Sequence, residues 1–237
     1  MRIAVLTTEA ISHARFVSAL AREREVVGVL VETIQPPPPF ETSHPFETDR
    51  EAFERESWFP EKVPLLSELA STVHFSTLSA PEAVAHLKSL RADLAFILGA
   101  RTINRQILDV LGRGLLNLHG ADPQDYQGAD PELWAVYHQD FAGLMATAHF
   151  VEDEVKAGAV LDRQPVNLRR GMGLHELRYA QTEAFISVAE SAADAMSGRT
   201  MRMIIPLQRQ GRRYGPMPRV LKDVCVGQFR RHAEALP

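Results

Sequence analysis

A strand, a helix and a second strand follow one another at the start of the chain. Residues 2–7 are apolar and partly β-branched, which is typical of a buried strand. Apolar residues at helical spacing follow over residues 11–21, and residues 26–31 form a second buried-strand run. Two strands joined by one helix make a βαβ unit, in which the strands are parallel and the crossover is right-handed. The sequence therefore predicts an α/β protein with a mostly parallel sheet and helices on both faces.

The same alternation continues after an interruption. The run Gln35 to Pro39 can neither join a sheet nor continue a helix, and we interpret it as a surface excursion, with a lid or a partner-binding loop as the alternative. Further strands are predicted at residues 93–98, 115–118, 144–151 and 159–168, the last two paired across a turn at Gly158. Helices are predicted after a capping box at residues 79–82, from Asp130, over 174–196 and around 221–229.

Composition excludes several classes of function. Lys and Arg number 26 against 30 Asp and Glu, which offers no broad basic face for nucleic acid. No stretch approaches the ~18 consecutive apolar residues of a membrane span, and the first apolar run is too short for a signal peptide. A single cysteine, Cys225, excludes an internal disulfide and a multi-cysteine metal site, and no histidine has metal-ligand spacing. We expect a cytoplasmic protein that acts on a small molecule without a metal.

The loops that follow the strands are the places to look for chemistry, because a doubly wound sheet binds ligands at the carboxyl ends of its strands. The loop at residues 7–10 has no glycine and is a poor phosphate or dinucleotide site. Asn117 and His119 project to the same side of the strand predicted there, since side chains alternate. An amide can donate to a developing oxyanion, and an imidazole can act as acid or base. If the pair stood alone, a turn capped by Asn117 and a structural role for His119 would be the better interpretation.

The segments around Asn117 and His119 favour a catalytic role for the pair. Five segments occur in the order and spacing of the folate-dependent formyltransferases: GARTI (99–103), GLLNLH (114–119), YQG (126–128), WA (134–135) and TAHFV (147–151). The chain resembles this family, which includes glycinamide ribonucleotide, methionyl-tRNA and sugar-amine formyltransferases. The resemblance covers residues 1–205 and is densest over 93–168. It implies a Rossmann-like formyltransferase domain over 1–205 and a short C-terminal tail over 206–237.

The resemblance also implies a reaction, the transfer of a formyl group from 10-formyltetrahydrofolate, or another reduced folate, to an amine. Asn117 and His119 are then the residues that stabilise the tetrahedral intermediate and move protons. The pterin pocket is expected at Arg101, Thr102, Ile103, Val151, Glu152, Asp153, Glu154 and Val155. The acceptor side is expected at Glu9, His13, Tyr126 and Trp134, although a tryptophan in such a helix is more often core.

One position departs from the family. Its third catalytic residue is an Asp, and Lys156 stands there in this chain. A nearby cation disfavours the imidazolium that a carboxylate would stabilise. Asp153 or Glu154 could take over, Lys156 could itself serve as oxyanion donor or amine base, or the fold could have become a binding or regulatory protein or a 10-formyltetrahydrofolate hydrolase. A solvated lysine on a hairpin is the plain structural alternative. Because Asn117 and His119 remain, we favour altered catalysis.

The acceptor follows by elimination. The glycine-free first loop argues against a phosphoribosyl substrate, and Gln127 stands where many members of the family have Arg. A tail of this length has no room for the β-barrel of tRNA formyltransferases, which disfavours tRNA. A sugar amine or an amino-acid-derived amine of specialised metabolism is left. We interpret Arg209, Arg212 and Arg213 as an exposed surface, and the tail helix packs either on the domain or on a second subunit of a homodimer.

Overall fold

A seven-stranded sheet runs through the protein in the computed structural model, which describes residues 1–34, 36–100, 103–152 and 157–237. Its strands are β1 (Arg2–Thr7), β2 (Glu25–Glu32), β3 (Thr72–Phe75), β4 (Leu94–Leu98), β5 (Leu115–His119), β7 (Met145–Val151) and β8 (Ala157–Pro165), while β6 (Tyr126–Gly128) and β9 (Arg212–Tyr214) pair separately. The order is β3-β2-β1-β4-β5-β7-β8. The first five strands of that order are mutually parallel. β7 runs antiparallel to both of its neighbours, β5 and β8. The predicted α/β class with a mostly parallel sheet is confirmed.

Helices cover both faces of this sheet. They are α1 (Ile11–Glu23), α2 (Pro45–Trp58), α3 (Leu66–Leu69), α4 (Pro81–Leu90), α5 (Arg105–Leu111), α6 (Pro131–Tyr137), α7 (Leu177–Met196) and α8 (Arg219–Ala235). Alternate residues of β1 point to opposite faces: Ile3 and Val5 pack with α1 and α7, whereas Ala4 and Leu6 pack with α4 and α5. Burial on both faces explains why the strand reads as a continuous apolar run.

Two local predictions differ from the structure. Gly158 lies inside β8, because Val151 pairs with Ala157 and the strand begins there. The strand ends at Pro165, which lacks the N–H that a ladder needs. The predicted capping box before α4 does not form: Ala80 is the N-cap and no side chain caps it. Pro81 at the first helical position supplies the fixed φ and needs no partner for an N–H.

The proline-rich segment lies at the surface and also borders the cavity. Gln35 lies outside the described residues, Pro36, Pro37 and Pro39 are exposed, and none of the described prolines of this segment is in a helix or strand. This agrees with the interpretation as a surface excursion. Pro36 and Pro38 also line the cavity described below. The helix that follows, α2, places Phe46 in a buried cluster with residues of α6 and α8.

The C-terminal residues are built into the fold. β9 adds to β6 in parallel, and α8 packs against α6 through Phe229 and the buried thiol of Cys225. Arg209, Arg212 and Arg213 are exposed, as expected, and Arg213 also lines the cavity. Within the described ranges, no helix combines the length and the apolar character needed to cross a membrane.

Candidate active site

A cavity of about 890 Å³ opens where β1, β4 and β5 end. This is the edge at which open α/β sheets bind ligands, and the volume lies within the ~300–1,000 Å³ of small-molecule sites. The loops and strand ends Ile97–Gly99 and Asn117–Gly120 contribute part of its lining. Charged and polar side chains from α1, α2, α6, α7 and the C-terminal residues contribute the rest, namely His13, Arg50, Glu132, Arg178, Gln181, Arg213 and Lys222.

Asn117 is held by a histidine on the neighbouring strand. Asn117 and His149 are paired in the register of β5 and β7, and the Asn117 Nδ2 lies 3.0 Å from the His149 Nε2. The other ring nitrogen, Nδ1, donates to the Phe150 carbonyl at 2.9 Å, so Nε2 accepts from the amide. Burial, with a smaller contribution from His119, lowers the pKa of His149 to about 4 and keeps the ring neutral. One N–H of Asn117 is thereby occupied, and the second can donate into the cavity.

His119 is also a neutral imidazole. Its side chain is buried, and Nε2 donates to the Tyr126 carbonyl at 2.8 Å. Since a carbonyl only accepts, Nδ1 keeps the lone pair. Burial lowers the pKa of His119, and the Tyr126 carbonyl opposes this shift. The ring therefore suits proton acceptance at neutral pH, beside an amide donor on the same strand.

His13 closes the cavity near β4. Its Nδ1 lies 2.8 Å from the Thr8 carbonyl and donates to it, and burial lowers its pKa to about 4. The ring packs against Gly99, where a Cβ would lie 2.6 Å from the His13 Cε1. His13 thus lines the cavity, and its place on the acceptor side stays a prediction.

The other three residues expected on the acceptor side lie elsewhere. Glu9 is exposed and pairs with His74 at 3.0 Å, outside the cavity lining of the described residues. The Tyr126 hydroxyl donates to Asp140 at 3.1 Å, and only its backbone carbonyl serves the site. Trp134 stacks on Tyr214, and its Nε1 donates to the Gly215 carbonyl at 2.9 Å. The structure therefore does not bring these three side chains into the described lining of the cavity, because each is engaged in packing or pairing elsewhere.

Most of the expected pterin pocket lies outside the described residues. Arg101, Thr102, Asp153, Glu154 and Val155 fall in the gaps, and so does Lys156, the residue at the position of the family's catalytic Asp. Ile103 and Val151 line the cavity, as expected. Glu152 is exposed and is not part of the described lining, so its assignment is not supported.

Arg50, Arg178 and Lys222 form a charged wall of the cavity, which was not predicted from the sequence. Arg178 of α7 binds both carboxylate oxygens of the fully buried Glu54 of α2 at 2.6 Å. Lys222 of α8 donates to Glu47 at 2.9 Å and to the Thr42 carbonyl at 2.7 Å. Arg50 lies 3.8 Å from Glu47, and its buried Nε has no partner in the described part of the chain. The wall joins three elements that are distant in sequence.

Glu132 also lines the cavity, close to the end of β5. A Cβ built on Gly120 would lie 3.1 Å from the Glu132 Oε2, and the Gln181 Nε2 donates to the Gly120 carbonyl at 2.7 Å. Burial and the nearby Asp130 raise the pKa of Glu132 to about 7, although Arg50 and Arg178 oppose this. Among the described residues, no group of His, Cys, Asp and Glu could hold a metal ion.

Comparison with known sequences relates the chain to formyltransferases. No family model matches it. It is 29% identical over 125 residues to a methionyl-tRNA formyltransferase of Thermosynechococcus vestitus, a match covering 52% of this chain and 35% of that protein. A methionyl-tRNA formyltransferase of Parabacteroides distasonis is 24% identical over 153 residues, which cover 59% of this chain and 43% of the other. The chain spans less than half the length of these curated relatives.

Solved structures agree with this relationship at the level of the fold. Glycinamide ribonucleotide transformylase 1 from Symbiobacterium toebii aligns with a TM-score of 0.58 and 18% identity, covering 88% of this chain and 94% of the other. The formyltransferase PseJ from Anoxybacillus kamchatkensis, solved with a formamido sugar nucleotide and tetrahydrofolate, aligns with a TM-score of 0.53 and 14% identity, covering 91% of this chain and 86% of that one.

Proposed function

Because the chain contains a formyltransferase-family domain, we propose that it transfers a formyl group from 10-formyltetrahydrofolate to a small amine. The donor is here a substrate, which supplies the formyl group and leaves as tetrahydrofolate. The observation that carries the proposal is the oriented amide of Asn117 beside the neutral ring of His119 at the end of β5. An amide donor and a proton acceptor on one strand end are what acyl transfer to an amine requires.

Each of the two residues has a separate task. The free N–H of Asn117 donates to the formyl oxygen as that oxygen gains negative charge during attack by the amine. The Asn117–His149 hydrogen bond fixes the amide beforehand, so no reorganisation accompanies the reaction. His119 is neutral and can receive the proton that the attacking nitrogen loses and pass it to the departing N10 of the folate.

The lining of the cavity fits two different substrates. Ile97, Leu98, Ile103 and Val151 are apolar lining residues on which a flat pterin ring would lie. Arg50, Glu132, Arg178 and Lys222 are charged lining residues that suit a polar acceptor. PseJ, a formyltransferase of similar fold, was solved with a formamido sugar nucleotide and tetrahydrofolate, which supports a sugar amine, and an amino-acid-derived amine fits the same charges.

Catalysis differs from that of the family if Lys156 stands at the position of its Asp. The site would then lack the carboxylate that accompanies Asn117 and His119 elsewhere in the family. We propose that transfer persists with a changed route for the proton, because both the amide and the imidazole are retained and oriented.

Incubation with 10-formyltetrahydrofolate and a panel of amines tests the function. The panel contains amino sugars, their nucleotide derivatives and amino acids, and tetrahydrofolate is measured with each and with water alone. Formation of tetrahydrofolate only with an amine supports transfer. Equal formation without amine would identify a hydrolase. Folate binding by calorimetry without turnover would identify a silent binding protein, and absence of binding would remove the folate assignment.

The variant Lys156→Asp tests the altered route. A gain in transfer rate would mean that the lysine limits an otherwise competent site. Lys62→Asp makes the same charge change at an exposed position outside the cavity lining and serves as the control. A loss of transfer in Lys156→Asp, with the control unchanged, would mean that the lysine itself takes part in the reaction.

A further inference from the structure

Glu132 is a carboxylate at the cavity for which the preceding steps give no use. It follows Pro131 in the first turn of α6, and its Oε2 lies next to Gly120, the residue after His119. Asn117, His119, Gly120 and Glu132 all line the one cavity. The carboxylate is therefore within reach of a substrate that touches the end of β5.

The Glu132 carboxylate is open to a ligand, unlike the other acids of that wall. Glu54 binds Arg178 through both oxygens, and Glu47 binds Lys222 and the His44 backbone. The Glu132 carboxylate accepts a hydrogen bond from its own backbone N–H, and over the described ranges no other side chain makes a hydrogen bond or an ion pair with it. A carboxylate that lines a polar cavity without a side-chain partner is suited to bind a cation or to accept a proton.

We propose that Glu132 binds the ammonium form of the acceptor and removes its proton before attack on the formyl carbon. The proposal rests on the proposed formyl transfer and names the class of acceptor, an amine that is protonated in solution. It gives the reaction a carboxylate from α6, where the resemblance expects one at the position of Lys156.

The step balances in atoms and charge. An ammonium group gives one proton to the Glu132 carboxylate and becomes a neutral amine. The amine nitrogen then forms a bond to the formyl carbon, and the bond from that carbon to N10 of the folate breaks. The second proton of the nitrogen ends on N10, by way of His119, so the products are a formamide and tetrahydrofolate. Glu132 returns its proton to solvent.

The surroundings of Glu132 favour this role. Asp130 on the adjoining turn and Cys225 of α8 lie near it, and Arg50 of α2 and Arg178 of α7 face it with opposite charge. Burial and Asp130 outweigh the hydrogen bond from the backbone N–H of Glu132 and the two guanidinium groups, and the pKa of Glu132 rises to about 7. A base is most effective when its pKa lies near the working pH.

The test compares two small acceptors with 10-formyltetrahydrofolate as donor. Ethanolamine is an ammonium ion at neutral pH, whereas hydroxylamine is largely uncharged and needs no proton removed. Glu132→Gln should lower kcat/KM for ethanolamine by about 100-fold, a typical loss for a general base, and affect hydroxylamine far less. Glu82→Gln is the matched control: Glu82 also follows a proline in the first turn of its helix, but it is exposed and outside the described cavity lining.

A pH profile gives a second readout that a structural role would not move. With ethanolamine, the rate of the unmodified protein should level off above a pH of about 7, once Glu132 is ionised. The rate of Glu132→Gln should keep rising with the supply of free amine. Equal losses with both amines, or none, overturn the role of Glu132 and leave formyl transfer standing. An unmodified protein that binds folate but uses neither amine overturns this inference, and one that binds no folate overturns the proposed function as well.

Discussion

The side chains of Asn117 and His149 meet across two antiparallel strands, with the Nδ2 of one 3.0 Å from the Nε2 of the other. The ring can accept because its Nδ1 is tied to the Phe150 carbonyl. A histidine that is neutral and fixed in one tautomer thus sets which way the amide points. This makes His149 a positioning residue for Asn117.

We expect Asn117→Ala to lower kcat by about 100- to 1,000-fold, as loss of one oxyanion donor does elsewhere. His149→Ala should lower kcat by a smaller factor and leave folate affinity unchanged, because the amide remains but is no longer oriented. His149→Gln offers an oxygen that can accept from the amide and should recover part of the rate. Steady-state kinetics and folate calorimetry measure both quantities.

The control for these variants is His74→Ala, since His74 lies at the sheet edge and pairs only with the exposed Glu9 among the described side chains. It should leave kcat unchanged. An equal fall in kcat and in folate affinity for His149→Ala would contradict a positioning role and point to a general loss of structure.

Acid should destabilise the protein through its buried neutral histidines. The folded pKa of His149 is about 4 against an ordinary value of 6.5, so its contribution is present above pH 6.5 and is lost as pH falls toward 4. The loss is on the order of 3 kcal/mol for a shift of this size. Urea unfolding at several pH values should therefore give a shallower decline for His149→Gln between pH 6.5 and 4.

If the free energy of unfolding declines equally in both proteins, protonation of His149 is not the cause of the acid destabilisation. Burial lowers the pKa of His13 in the same direction, so His13→Gln would be the next variant to measure in the same series.

The sequence predicts the sheet well because each buried strand is recognised from the pattern of its own residues. The runs that become β1, β2 and β4 are apolar without interruption, and burial on both faces produces that pattern. The alternation of side chains along a strand is likewise local, and it places Asn117 and His119 at one cavity.

The charged wall could not be predicted in the same way. Arg178 and Glu54 are 124 positions apart, and their pairing depends on how α2 packs beside α7. Tyr126 was expected at the site for its side chain, but the site uses its backbone carbonyl, which any residue would supply. His149 had a usable signal: pairing the two strands in register would have set it opposite Asn117.

Replacement of Glu132 should stabilise the protein at alkaline pH. Its pKa is raised in the folded state, so the folded protein loses stability as pH rises from about 4.5 through about 7. Glu132→Gln does not titrate and should have a higher Tm than the unmodified protein at pH 8, with a smaller difference at pH 5. Glu82→Gln should show no such pH dependence, and a Tm difference that is constant with pH would contradict the shifted titration.

The C-terminal helix should contribute strongly to stability. Phe229 is fully buried in a cluster that contains Leu133, Met217 and Cys225. Phe229→Ala should lower the free energy of unfolding by about 3–5 kcal/mol. Val220 lies on the same helix and is 70% exposed, so Val220→Ala should change it by less than about 0.5 kcal/mol. Equal, small effects would mean that α8 does not unfold together with the sheet.

Gly99 should tolerate no side chain, for two separable reasons. Its φ is +72°, in the left-handed region, and a Cβ would lie 2.6 Å from Cε1 and 2.9 Å from Nε2 of His13. Gly198 after α7 has φ of +74° with open space around it, so Gly198→Ala carries only the backbone cost of about 1–2 kcal/mol. Gly99→Ala should cost more in urea unfolding and should also lower the transfer rate, because the ring of His13 must leave the Thr8 carbonyl. Equal costs for the two variants would mean that His13 moves freely and is not held at the cavity.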